Sequence, residues 1–374
     1  HTPLFESSAA SDVYKRQVQQ DGVEWNLTMV NADDVWAMGY TGEGVVIGGQ
    51  DTGYDWNHPA LINQYRGWDG STADHNYNWH DAIHDDDAHT PEGNPCGFDS
   101  KVPCDDNSHG THTMGIMVGD DGAGNQVGMA PGAKWIGCRN MEQSWGTPAT
   151  YIECYQWFLA PTDLEDKNPR PDLAPHIINN SWSCPIEEGC TDPNVLLTVV
   201  QNLRAAGILS AHSAGNDGSS CSTVNTPAAI YDASLTVGNT DQNDLINSSS
   251  SRGPVIVDNS RRLKPDISAP GTYIRSSIPG GFYAVKGGTS MAAPHVAGQA
   301  ALLVSAQPQL AGQVDWLETT ILENAVPITT TQGCGEDTID QVPNNVYGWG
   351  RIDALKAVSN ISFYTYLPIT LNNR

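Results

Sequence analysis

The chain has 374 residues, enough for two or three average domains or for one large α/β domain. With 18 Lys+Arg against 43 Asp+Glu it carries a formal net charge of −25 at pH 7, which repels nucleic acid and anionic membrane surfaces, so neither is expected as a partner. Hydrophobic residues make up 39%, and no apolar run approaches the roughly 18 residues of a membrane span. The 37 Gly and 23 Pro predict many turns without a fibrous repeat.

The chain opens at His1 with no charged region leading into an apolar one, so a secretion signal is absent or already removed. Ser7 to Gln17 (SSAASDVYKRQ) resembles translated adapter text, and residues 1–22 are expected to be a disordered or artefactual leader that folds with nothing. Residues 23–360 read as one folded domain and 361–374 as a tail.

Short apolar runs at Gly44 to Gln50, Lys134 to Arg139, His176 to Ser181 and Gly207 to Ser213 suit buried strands. Helical patterns lie between and after them. The clearest is Asp192 to Ala206, with Asp192 as N-cap, Pro193 as first helical residue and Gly207 as the stop. Its Leu196, Val199, Val200 and Leu203 form one apolar face. Further helices are expected at Ser290 to Ser305, about Gly312 to Asn324, and Ile352 to Val358. Alternating strands and helices predict an α/β fold, a mainly parallel twisted sheet sandwiched by helices. Ligands of such sheets bind beyond the carboxyl ends of the strands, which singles out Asp51, Ser181 and Asn216.

Eight cysteines favour disulfides and an oxidising compartment, with Cys96 and Cys104 the one pair suggested by a short intervening loop. No C-x2-C pair supports a four-cysteine zinc site.

Three motifs place a reactive side chain beside glycine: Asp51-Thr52-Gly53 ends a strand, Ser108-His109-Gly110-Thr111-His112 opens a helix, and Gly287-Gly288-Thr289-Ser290-Met291-Ala292-Ala293-Pro294-His295 opens another. A serine at a helix N-terminus sits among unpaired backbone N–H groups that stabilise an oxyanion. An alcohol needs a base, and the base needs a partner that fixes its tautomer; His109 and Asp51 fit those roles for Ser290.

With these motifs in this order, the chain resembles the subtilisin-like serine endopeptidases, from VIGGQDTGYDWNHP at Val46 through SHGTHTMG, VGMAPGAKW, INNSWS, SAGNDG and KPDISAPG to GGTSMAAPHVAG and YGWGRIDALKAV. Asp51-Thr52-Gly53 and Met291 resemble the broad subtilisin and bacillopeptidase branch more than the prohormone-processing one. The resemblance implies a secreted endopeptidase acting through an acyl-enzyme on Ser290, with His109 as base and Asp51 as its orienter. It implies an oxyanion hole made by the Asn216 amide and the Ser290 N–H. Ser181, Trp182 and Ser183, with Ala214 and Gly215, would bind an extended substrate as an added strand. Asp217 is a candidate for favouring a basic residue in the first subsite. Polypeptide substrates, a monomeric state and a pro-segment in the precursor are expected, and no cofactor is required. Too few residues precede Val46 to include the usual pro-segment, so the chain alone is expected to fold poorly.

His112 and His295 are expected to pack helices, and Trp182 to wall the cleft. In His75 to His89, the i, i+4 pair His80 and His84 beside Asp85, Asp86 and Asp87 suggests a metal site if helical, but such runs are usually solvated loops. Structural calcium suits the acidic loops better, although Ala60 stands where many family members have an aspartate and Gly122 offers no side-chain oxygen. Two other classes compete: a binding protein on a protease scaffold, and an acid-active serine peptidase with a carboxylate in place of the imidazole. The presence of His109 predicts activity that falls toward acid pH. The triplets at Asn26, Asn179, Asn247 and Asn360 match the glycosylation pattern by chance, and the LPxT-like string in the tail lacks the rest of a wall-sorting signal.

Overall fold

A computed structural model describes residues 15–16, 22–90 and 93–364. Seven strands run in parallel: β1 (Val46–Asp51), β2 (Trp79–Asp81), β3 (Lys134–Arg139), β4 (Ile177–Asn180), β5 (Leu209–Ser213), β6 (Leu235–Thr240) and β7 (Ile267–Pro270). Their spatial order is β7-β6-β5-β4-β1-β3-β2. Both faces are covered, so adjacent residues on one strand serve different cores: Ile177 packs into one apolar cluster and Ile178 into the other.

The first cluster is built on α4 (Thr289–Ala306), which crosses the sheet, with α1 (His109–Val118), α5 (Val314–Glu323) and α6 (Ala354–Tyr364). The second holds α2 (Pro148–Leu159) and α3 (Leu197–Ala205). A hairpin of β8 (Ile274–Ile278) and β9 (Phe282–Lys286) leads into α4. The strand order reverses at the β1–β4 pair, the position where open parallel sheets form a ligand crevice. The expected α/β architecture is therefore the one observed.

Several boundaries differ from expectation. The Asp192 helix begins only at Leu197, because the Asp192 carboxylate accepts the Asn194 N–H (2.9 Å) and the Pro193 carbonyl accepts the Tyr231 hydroxyl (2.7 Å), which holds 192–196 as turns. It ends before Gly207, at φ +83°, and its four apolar residues are buried as expected. The last helix continues past Val358 to Tyr364, so the start of the tail is helical; residues 365–374 lie outside the described residues. Within the leader, Lys15–Arg16 pairs antiparallel with Val285 and Ala284, contrary to the expectation that this segment folds with nothing. The rest of residues 1–21 lies outside the described residues.

All eight cysteines are paired, Cys96–Cys104 as expected, with Cys138–Cys154, Cys184–Cys190 and Cys221–Cys334. Among the described residues no helix is long and apolar enough to cross a membrane.

Candidate active site

Asp51 is the last residue of β1, and His109 is the first of α1. Both are buried, and the His109 Nδ1–H donates to Asp51 Oδ1 at 2.7 Å. The same oxygen accepts the Thr52 N–H (2.8 Å), and Oδ2 accepts the Thr113 hydroxyl at 3.3 Å. The carboxylate is thus fixed by its own turn and by the helix bearing the imidazole. Close approach of the two elements requires glycine: a Cβ on Gly110 would lie 2.1 Å from the Gly53 carbonyl oxygen, and one on Gly53 1.7 Å from that of Cys104.

Asp105, four residues before His109, was not singled out by the sequence reading, yet it joins these pieces. Its half-buried carboxylate accepts the N–H groups of Asn107 (3.0 Å), Ser108 (2.8 Å) and Thr111 (2.9 Å), and the hydroxyls of Thr52 (2.8 Å) and Thr111. Burial raises its pKa, against the pull of these donors. Two N–H groups leading into α1 and one in its first turn are satisfied in this way, while Ser108 is held left-handed at φ 79°, a conformation unfavourable for a residue with a Cβ. An aspartate just ahead of a predicted helix was the available signal.

Ser290 lies in the first turn of α4 and is 8% exposed. Its hydroxyl donates to the Ser181 carbonyl oxygen (3.0 Å), and the Ser181 hydroxyl donates to the Ser290 carbonyl oxygen (2.8 Å). The second bond exists because of sequence: Pro294, four residues on, has no N–H to claim that carbonyl within the helix. Two hydrogen bonds therefore join the nucleophile candidate to the segment following β4.

Asn216 follows β5, and its Oδ1 accepts both the N–H and the hydroxyl of Thr289, each at 3.0 Å. Fixing the oxygen determines where the amide NH2 points. Thr289 is a second residue missed in the sequence, since its role depends on packing between α4 and the loop after β5.

Ser181, Trp182 and Ser183 leave the end of β4, and Ala214 and Gly215 leave the end of its parallel neighbour β5. Trp182 departs from expectation. It is 4% exposed, stacked on Tyr151 (centroids 4.0 Å apart, planes within 3°) with His212 against its edge, so its side chain packs in the second core behind the segment. The Tyr151 hydroxyl donates to Glu188 at 2.7 Å, and burial pushes the Glu188 carboxyl up to about 8. Ala214 is buried, and the Gly215 carbonyl already accepts the Ser251 N–H (2.9 Å) and the Thr289 hydroxyl (3.2 Å). Asp217 is exposed.

His112 is fully buried and donates to the Ala284 carbonyl at 3.1 Å; burial first, then the nearby Lys286 charge, holds it neutral. His295 bonds Met291 O (2.8 Å) and Asn26 (2.7 Å), and burial lowers it to about 4. Both pack helices, as expected. Trp79–Asp81 is a strand, so His80 and His84 share no helix face. Both still converge on Glu153 of α2, at 2.7 Å and 3.0 Å, and His84 also meets Asp99 at 2.6 Å. Although burial opposes it, these carboxylates hold His84 up at about 9. Among the described residues no group of three or more His, Cys, Asp or Glu side chains is arranged to hold a metal ion.

A family model described as "Subtilase family" matches residues 42–350. Bacillopeptidase F of Bacillus subtilis (strain 168) is 39% identical over an alignment covering 96% of this chain and 24% of that protein. Subtilisin E of the same organism is 30% identical over 76% of this chain and 62% of its own length; the Bacillus pumilus subtilisin is 30% identical over 76% and 86%. The chain therefore spans about a quarter of Bacillopeptidase F and less than two thirds of subtilisin E. On the match across residues 42–350 and on these relatives, the chain belongs to the subtilase family.

Proposed function

We propose that this protein is a secreted serine endopeptidase that hydrolyses polypeptides through an acyl-enzyme on Ser290. The observation that carries the reading is the buried Asp51–His109 pair at 2.7 Å, which leaves Nε2 of the imidazole as the proton acceptor. In the resting state the Ser290 hydroxyl rests on the Ser181 carbonyl; attack requires it to exchange this bond for one to His109, a tightening expected when substrate binds.

Ser290 Oγ attacks the scissile carbonyl as Nε2 takes its proton, and Asp51 stabilises the imidazolium. The Asn216 NH2, aimed by Thr289, and the Ser290 N–H receive the oxyanion. The proton then passes from His109 to the departing amine, and water repeats the sequence on the ester. Ser181–Ser183 and Ala214–Gly215 bind the substrate backbone as an added strand, with Trp182 stiffening the edge from behind. No organic cofactor enters these steps. The four disulfides suit an oxidising, extracellular setting, and polypeptide substrates, a monomeric state and a pro-segment in the precursor accord with it.

The test is cleavage of a denatured protein mixture, with new termini read by mass spectrometry. The wild type is expected to generate them and Ser290→Ala none. A folded wild type that cuts nothing would favour the binding-protein alternative, and the same termini would show whether Asp217 selects basic residues.

A further inference from the structure

Calcium is typical of the subtilase family, which directs attention to the Gly119 to Gly128 loop and to Ala60 beside it. The residues present do not fit an ion there. Ala60 brings no side-chain oxygen, and its carbonyl is occupied by the Asp120 N–H at 3.0 Å. The Asp121 carboxylate is saturated by its own loop, accepting from Ala123 N (2.8 Å), Asn125 N (3.0 Å), Asn125 Nδ2 (2.6 Å) and the Tyr283 hydroxyl (3.2 Å). Calcium takes six to eight oxygens. The Ala60 carbonyl and both Asp121 oxygens are already spoken for.

A cation is present, but it is covalent. Arg275, on β8, is 2% exposed. Its Nη1 donates to Glu24 Oε1 at 2.9 Å, its Nη2 donates to Asn125 Oδ1 at 2.7 Å, and its guanidinium lies over the Tyr283 ring at 4.3 Å. Glu24 continues from Gly22–Val23, which pairs in parallel with Asn125–Gln126. One planar group thus bridges three separate stretches of chain: the N-terminal segment, the loop and the β8–β9 hairpin. Asn125 is shared between the two systems, its Nδ2 committed to Asp121 and its Oδ1 to Arg275. A divalent ion in the loop would meet this fixed positive charge at close range.

We infer that the guanidinium of Arg275, rather than a calcium ion, ties the N-terminal segment around Glu24 to the Gly119 to Gly128 loop. The tie is specific to this chain's own residues and makes this corner of the molecule independent of free calcium. It also has a weak point that an ion site lacks. Burial raises the Glu24 carboxyl, opposed by the hydrogen bond and charge of Arg275, so removing the arginine leaves a buried carboxyl without its counter-ion.

Hydrogen exchange followed by peptide mapping tests this on the full chain carrying Ser290→Ala, which prevents self-digestion. Peptides spanning residues 22–30 and 119–128 are expected to exchange at the same rate in excess EDTA and in calcium chloride. Arg275→Met is expected to speed both segments by at least roughly tenfold in either solution, and Arg275→Met with Glu24→Met to recover part of the protection. If Arg275→Met does not fold, Arg275→Lys, which keeps the charge but loses the two-pronged contact, is expected to speed the same two segments. Calcium-dependent protection of 119–128 in the Arg275 protein would overturn the inference. So would unchanged exchange in either folded Arg275 variant.

Discussion

Asn216 is useful as an oxyanion donor only if its amide faces the right way, and Thr289, one residue before the nucleophile, sets that orientation through two hydrogen bonds. Asn216→Ala is expected to lower kcat by about 10²- to 10³-fold with little change in KM, a magnitude taken from subtilisin rather than derived from this geometry. Thr289→Val removes one of the two bonds while keeping the shape, and is expected to cost less than Asn216→Ala in the same assay; an equal or larger loss would mean that Thr289 acts by another route. The residues that bear the chemistry were legible because they sit in glycine-flanked motifs in a fixed order. Those that hold them, Thr289 and Asp105, were not. The position of Asp105 ahead of a helix hinted at its local contacts but not at its bond to Thr52, and nothing in the sequence marked Thr289, whose partner Asn216 only folding brings near.

At the level of elements, the parallel sheet was legible from four apolar runs, and Lys134–Arg139 was read to the residue. The strand Leu235–Thr240 and the helix Pro148–Leu159 were passed over. The helix carries aromatic residues on several sides because it is sandwiched between the sheet and other chain, which blurs the one-sided pattern a surface helix shows. That helix supplies Tyr151, and with it the brace Glu188–Tyr151–Trp182 behind the substrate segment. Burial raises the Glu188 carboxyl from the usual 4.5 to about 8. Below pH 4.5 the carboxyl is protonated in folded and unfolded chains alike; between 4.5 and 8 only the folded chain keeps the proton, so stability falls as pH rises through that window. Glu188→Gln has no proton to lose. Denaturant melts should therefore show the glutamine variant gaining on the wild type from pH 5 to pH 9. A constant difference would place the Glu188 ionisation elsewhere.

For the whole molecule, disulfides differ in reach. Cys184–Cys190 closes a loop six residues apart, whereas Cys221–Cys334 spans 113 and links the loop beyond Asn216 to the segment before the last helix. On the chain-entropy account, the long loop is worth about 4.7 kcal/mol and the short one about 2 kcal/mol. Replacing Cys221 and Cys334 by Ser should lower the unfolding free energy more than replacing Cys184 and Cys190, as read by denaturant titration. Of the four pairings only Cys96–Cys104 was read, from its short loop; Cys184–Cys190, closer still in sequence, carried the same signal and was passed over, whereas the two wider pairings depend on which distant segments folding makes neighbours.

The account turns on one alkoxide. A fluorophosphonate probe, which esterifies only an activated serine, measures it most directly when the adduct is mapped by mass spectrometry. Stoichiometric labelling at Ser290, abolished in Ser290→Ala and strongly slowed in His109→Ala, is the predicted result. A folded wild type that stays unlabelled, or one labelled equally well without His109, would contradict it.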